Sequence, residues 1–187
     1  MTKRVFLIHG WEGNPKNSWF PWLKSKLEEK GFKVIAPEMP DSGSPKIDPW
    51  IDKLKEVVGV PDQETYFVGH SIGCQAIMRY LQTEDAKIGG IIFVAGFFNL
   101  HHLETQEEKD IAKPWLETEI DTDKIKTLTD NIVAIFSDND PDVSLEDSKL
   151  FESRLGAKII VEKGKGHFSD DAGIKELPVV LDEILKF

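Results

Sequence analysis

Thr65-Tyr66-Phe67-Val68-Gly69-His70-Ser71-Ile72-Gly73-Cys74 is the stretch that decides how this chain folds. Tyr66, Phe67 and Val68 lead into Gly-x-Ser-x-Gly, and a helical run follows from Ile72 to about Leu81. A strand that turns directly into a helix at a serine is the setting a nucleophile elbow requires. So sharp a turn forces the serine into a strained backbone conformation and brings the chain close to itself on both sides. Gly69 and Gly73 lack the Cβ atoms that would collide there. The same turn lifts the Ser71 hydroxyl above the sheet edge, with the N–H of Ile72 beside it at a helix N-terminus. A developing oxyanion would meet a fixed donor and the positive end of the helix dipole at that point.

Outward from the elbow, strand and helix patterns alternate. Residues 4–9 (RVFLIH) are β-branched and apolar, and Ser18 to Lys30 has helical spacing through Phe20, Trp22, Leu23 and Leu27 until Gly31 stops it. Strand patterns recur at 32–36, 88–95, 131–136 and 157–161. Helical patterns cover 50–58, 145–155 (Ser144 as cap, Gly156 as stop) and 172–187. This alternation demands crossover connections. It predicts a mostly parallel sheet of about six strands covered by helices on both faces, a three-layer α/β/α sandwich. Residues 96–130 break the rhythm: they are acidic, contain His101-His102, Pro114 and Trp115, and promise at best two short helices. The length of 187 residues predicts one domain, 1–187, with 96–130 as a reduced lid-like segment.

Composition narrows the possible partners. A net charge of −10 argues against nucleic acid and anionic membranes, both of which need a basic face. The single cysteine, Cys74, rules out an intrachain disulfide and reads as a small buried hydrophobe inside the helix. Val5 to Ile8 is too short for the core of a signal peptide, and no run approaches membrane-spanning length, so the expected compartment is the cytoplasm.

Active sites of parallel sheets gather at the carboxyl ends of the strands, and the other reactive residues fall there too. A serine hydroxyl needs a base within hydrogen-bond reach. His70 sits inside the tight turn, and its side chain should point away from the serine. His9 ends the first strand and should brace the following loop. His101 and His102 lack further ligands at metal-binding spacing. His167 follows the sixth strand in a turn that Gly164 and Gly166 make mobile, and is the best base. Its far nitrogen calls for a carboxylate, which the loop Asp138-Asn139-Asp140-Pro141-Asp142 supplies. Asp140 is favoured because it lies mid-loop beside a stiffening proline; Asp138 is the alternative, and Asp142 reads as a solvated charge. Serine, aspartate and histidine in that order match the hydrolases of α/β type. A second oxyanion donor should come from the loop after the first strand, where Gly10 lets the N–H of Trp11 approach the substrate.

With these residues placed, the chain resembles the α/β-hydrolase superfamily, and within it the small single-domain YdeN-like and retinoblastoma-binding-protein-like serine hydrolases. The resemblance covers nearly the whole length and rests on HGWEGNPKNSWFPWL, GHSIGCQAIMRYL, FSDNDPDVS and KGKGHF. The tryptophan-rich opening (Trp11, Trp19, Trp22) is the most branch-specific part. The resemblance implies Ser71 as nucleophile, Asp140 as acid, His167 as base and amides of Trp11 and Ile72 as oxyanion donors. It also implies a shortened sheet and a reduced lid, and the triad chemistry calls for no metal or other cofactor. The expected activity is hydrolysis of carboxylic esters or related acyl bonds through an acyl-enzyme, with thioester, amide or peptide bonds as alternatives; the reduced lid suggests an open site suited to small or short-acyl substrates. A non-catalytic protein-binding module is the rival from another class. It would gain weight if Trp19, Trp22, Trp50 and Trp115 formed a surface patch; Trp115 is also a candidate pocket wall.

Overall fold

The computed structural model describes residues 2–187. Six strands form one sheet: β1 (Arg4–Ile8), β2 (Lys33–Ile35), β3 (Thr65–His70), β4 (Gly90–Val94), β5 (Ile132–Ser137) and β6 (Lys158–Glu162). Their order is β2-β1-β3-β4-β5-β6, and every neighbouring pair is parallel. The chain moves outward from β1 to β2, then returns to lay β3 on the other side of β1. The order therefore reverses between β1 and β3, and a crevice opens beyond their carboxyl ends.

Side chains alternate along each strand between two cores. Val5, Leu7, Tyr66, Val68, Ile92, Val94, Val133 and Ile135 face one layer, together with Phe20, Leu23 and Leu27 of α1 (Phe20–Glu29) and Val180 and Ile184 of α7 (Pro178–Ile184). Phe6, Ile8, Phe67, Ile91, Phe93, Ala134 and Phe136 face the other. That second layer holds α2 (Ile47–Val58), α3 (Ile72–Leu81) and α6 (Glu146–Leu155). Continuously apolar strands such as IGGIIFVA are explained by burial on both faces.

All ten residues of α3 are buried. Two of them, Gln75 and Arg79, are polar and must find partners. Gln75 Nε2 donates to the Phe97 carbonyl at 2.7 Å. Arg79 Nη2 donates to the carbonyls of Trp115 and Thr118, both at 2.8 Å. Those carbonyls end α4 (Gln106–Glu117), so the elbow helix grips the lid-like segment by its C-terminus. Asp147 of α6 anchors the start of the segment, accepting the N–H groups of Phe98 (2.6 Å) and Asn99 (2.9 Å).

Several element bounds differ from the sequence expectations; α2, for example, already starts at Ile47. The lid-like segment carries a twelve-residue helix, α4, before the short α5 (Thr122–Lys126). A Thr105/Glu108 capping box starts α4 and offsets the weak propensity around Pro114. The last helix begins only at Pro178, which suits a first helical turn, because Gly173 at φ 71° bends the preceding chain. Finally, α6 starts one residue late, with Ser144 Oγ accepting the Glu146 N–H at 3.2 Å. Among the described residues no helix is long and apolar enough to cross a membrane.

Candidate active site

Ser71 joins β3 to α3 with φ 53° and ψ −123°, a left-handed conformation costly for any residue with a Cβ. Its N–H donates to the Val94 carbonyl and its own carbonyl accepts from Cys74 N–H, both at 2.9 Å. The glycines on either side are steric requirements. A Cβ on Gly73 would lie 2.4 Å from the Ile8 carbonyl oxygen, and one on Gly69 would lie 2.9 Å from the Cys74 nitrogen. The loop after β1 also presses on the turn: a Cβ on Gly10 would stand 3.1 Å from Ser71 Cβ.

His167 follows β6 and meets the carboxylate of Asp140, which follows β5. His167 Nδ1–H donates to Asp140 Oδ2 at 2.9 Å and approaches Oδ1 at 3.1 Å. Oδ1 also accepts the N–H groups of Asp142 and Val143, so the carboxylate, 2% exposed, is held in place. With Nδ1 committed as donor, Nε2 carries the free lone pair. His167 and Ser71 line one cleft of about 1000 Å³ at the carboxyl end of the sheet. No hydrogen bond joins Ser71 Oγ to the imidazole among the described residues, as is common in sites without substrate.

The other two aspartates of the loop are placed differently. Asp138 Oδ1 accepts the Gly164 N–H at 2.8 Å, and Asp142 is largely solvated with its carboxylate 3.8 Å from His167 Nδ1. Asp140, Asp142 and His167 form the one group of three possible metal ligands among the described residues, and it coincides with this ion pair. His101 and His102 are exposed at the start of the lid-like segment.

Trp11 and Ile72 both line the cleft, and neither backbone N–H is taken by a backbone partner among the described residues. Ile72 N–H opens α3, where no intrahelical partner exists. His9 explains the direction of the Trp11 amide. Its Nδ1–H donates to the Gly10 carbonyl at 2.9 Å, joined by the Gly13 N–H at 3.1 Å, while its Nε2 accepts the Met39 N–H at 2.9 Å. Fixing the Gly10 carbonyl turns the N–H of the same trans peptide, that of Trp11, the opposite way. Burial lowers the pKa of His9, favouring the neutral ring that can donate at one nitrogen and accept at the other.

His70 does more than point away from the serine. Its Nε2 lies 2.7 Å from the His167 carbonyl oxygen, and burial, followed by the nearby His167, pushes its pKa down to about 3. It is a neutral donor. The turn at Gly164 and Gly166 is likewise not the mobile element its glycines suggest: its N–H groups are held by Ser137, Asp138 and Asn139. The sequence offered only the adjacency of these residues to β5 as a signal.

The tryptophans form no surface patch. Trp19, Trp50 and Trp115 are essentially fully buried, and Trp22 packs against the core on the α1 face. Trp115 borders a separate cavity of about 200 Å³ instead of the large cleft.

A parallel sheet whose central strand turns into a helix at a strained serine, with a histidine–aspartate pair after the last two strands, defines the α/β-hydrolase fold. The chain belongs to the serine hydrolase family, whose sequence model matches residues 5–186. It is 33% identical to YdeN of Bacillus subtilis (strain 168) over 190 residues, covering all of this chain and 97% of that protein. The crystal structure of the B. subtilis ydeN product superposes with a TM-score of 0.90 at 31% identity, over 99% of this chain and 98% of that one. The serine hydrolase RBBP9 of Rattus norvegicus is 26% identical over 155 residues, 82% of this chain and 80% of that protein. The same fold recurs at 17% identity in a carboxylesterase structure from the thaumarchaeon Nitrososphaera gargenis, with a TM-score of 0.74 over all of this chain and 89% of that one.

Proposed function

We propose that this serine hydrolase cleaves carboxylic esters, or closely related acyl bonds, through Ser71, His167 and Asp140. The observation that carries the reading is the His167 Nδ1–Asp140 carboxylate contact at 2.9 Å, in the cleft that Ser71 enters at φ 53°. Ser71 Oγ attacks the carbonyl carbon while His167 Nε2 accepts its proton, and Asp140 stabilises the imidazolium. The oxyanion is received by the amides of Trp11 and Ile72. His167 then returns the proton to the leaving alcohol and activates the water that releases the acid from the acyl-enzyme. This chemistry needs no cofactor.

Fluorophosphonate labelling tests the nucleophile. Wild type is expected to label, and Ser71→Ala to lose labelling completely; a folded wild type that does not label would refute an activated serine.

Phe97, Leu100, Leu103 and Ile111 give the cleft an apolar wall on the lid side, and Trp11, Phe20 and Ile72 add apolar surface near Ser71, while Glu12, Asn14, Asn17, Asp170 and Asp171 interrupt the lining with polar groups. An acyl chain finds apolar cover over a short length only, which favours short-chain esters. In a series of p-nitrophenyl esters, specificity is expected to fall as the chain lengthens beyond butyrate. A maximum at decanoate or longer would overturn that preference.

A further inference from the structure

We infer that Asn139 and His70 are positioning residues that hold His167 from its two sides, an inference that rests on the proposed role of His167 as base. Two glycines with positive φ precede His167, Gly164 at 66° and Gly166 at 53°, so the turn has little stiffness of its own. What fixes it is a row of side chains. Gly164 N–H donates to Asp138 Oδ1 at 2.8 Å, Lys165 N–H to Ser137 Oγ at 3.0 Å, and Gly166 N–H to Asn139 Oδ1 at 2.8 Å. Three consecutive amides are thus taken by three consecutive side chains at the end of β5. The Ser137 hydroxyl in turn donates to Asn139 Oδ1 at 2.8 Å, which fixes which way the Asn139 amide faces.

The other side of His167 is held from the elbow. His70 Nε2–H donates to the His167 carbonyl at 2.7 Å, and the two rings stand 4.9 Å apart. Phe168 then turns back at φ 54°, its carbonyl accepting from Trp19 Nε1 (3.0 Å) and Ser18 Oγ (2.9 Å). His70 is covalently next to Ser71, and Asn139 is next to Asp140. The N–H of Gly166 and the carbonyl of His167 are therefore tied to the chain neighbours of the two residues with which its ring must register. The Gly166–Asn139 bond lies at the solvent-facing edge, where a single hydrogen bond adds little to stability. Its consequence is placement: an error of about 1 Å in a reacting group can cost about 100-fold in rate.

The test is the saturation kinetics of fluorophosphonate labelling, which separates the maximal rate of serine capture from probe affinity without knowledge of the natural substrate. Asn139→Leu and His70→Phe keep volume and remove the acceptor or donor; Asn139→Asp and His70→Gln keep it. Each of the first pair is expected to lower the maximal rate about 10- to 100-fold with probe affinity changed less than about threefold. Each of the second pair is expected to recover most of that loss, for Asn139→Asp when compared on the alkaline plateau. Unchanged maximal rates in Asn139→Leu and His70→Phe would overturn the inference. So would a loss that the bond-keeping variants fail to recover, since that is the mark of a packing role alone. His167→Ala is the control: if it labels like wild type, the proposed base itself is wrong, and that failure is distinct from the failure of its supports. Should Asn139→Leu not fold, His70→Phe and His70→Gln decide the matter from the elbow side.

Discussion

Asp140→Asn is expected to lower the turnover of an ester by about 10⁴-fold while leaving the fold intact. The carboxylate does two things that an amide of the same shape cannot. It accepts the Nδ1 proton of His167, leaving Nε2 as the lone pair that receives the proton of Ser71 in the proposed mechanism. It also carries the charge that stabilises the imidazolium once that proton has moved. An asparagine presents either a neutral oxygen or an N–H; the latter would favour the tautomer whose Nε2 is already protonated and cannot act as base. The backbone bonds from Asp142 and Val143 to Oδ1 can pass to the asparagine oxygen, so melting temperature should change little. Asp138→Asn is the matched control. Asparagine keeps an oxygen for Gly164 N–H, and turnover should stay within about threefold of wild type, since only one solvated hydrogen bond is altered. The reverse order of effects would transfer the acid to Asp138. Asp142, 3.8 Å from Nδ1, is the carboxylate able to compensate in part, so Asp140→Asn/Asp142→Asn is expected to fall below Asp140→Asn alone.

The sheet was legible because burial on both faces leaves a clear mark: short runs such as RVFLI and GIIFV suit a strand covered on both sides. The elbow was legible for a different reason, since its geometry admits so few residue types at Gly69 and Gly73. What escaped reading was whatever depends on one side chain meeting a distant backbone. Gly164 and Gly166 look like freedom in sequence, and that freedom is removed by Ser137, Asp138 and Asn139, 26 to 28 residues away. His70 could be dismissed as a base from its position inside the turn, but its partner, the His167 carbonyl, lies 97 residues on. The length of α4 does have a local signal, the capping box Thr105-x-x-Glu108, which the acidic composition and Pro114 of the segment do not reveal.

Gly73→Ala is expected to be the most damaging single-methyl change near the site. Built on the existing backbone, the new Cβ lies 2.4 Å from the Ile8 carbonyl oxygen, 2.6 Å from that of His9 and 3.0 Å from the Ile8 carbonyl carbon. All three are backbone atoms of β1 and its exit, so no rotamer change can clear them. Either α3 moves away from β1 or the end of β1 is displaced, and both movements separate Ser71 from the peptide that carries the Trp11 amide. Overpacking of this kind typically costs 1–3 kcal/mol, and backbone contacts put the expectation at the upper end, about 3 kcal/mol. For a chain of this size that is a fall of about 6–12 °C in the melting midpoint, accompanied by loss of fluorophosphonate labelling. Gly69→Ala should cost less, because its backbone contacts are longer, 2.9 Å to the Cys74 nitrogen and 3.0 Å to its Cα, and its nearest contact, at 2.8 Å, is the movable Cδ1 of Ile77. Gly43→Ala, with nothing within 4 Å and no positive φ, should be nearly neutral in the same melt. If Gly73→Ala melted with Gly43→Ala and labelled normally, the close approach of β1 to the elbow would be wrong, and with it the placement of Trp11 beside Ser71.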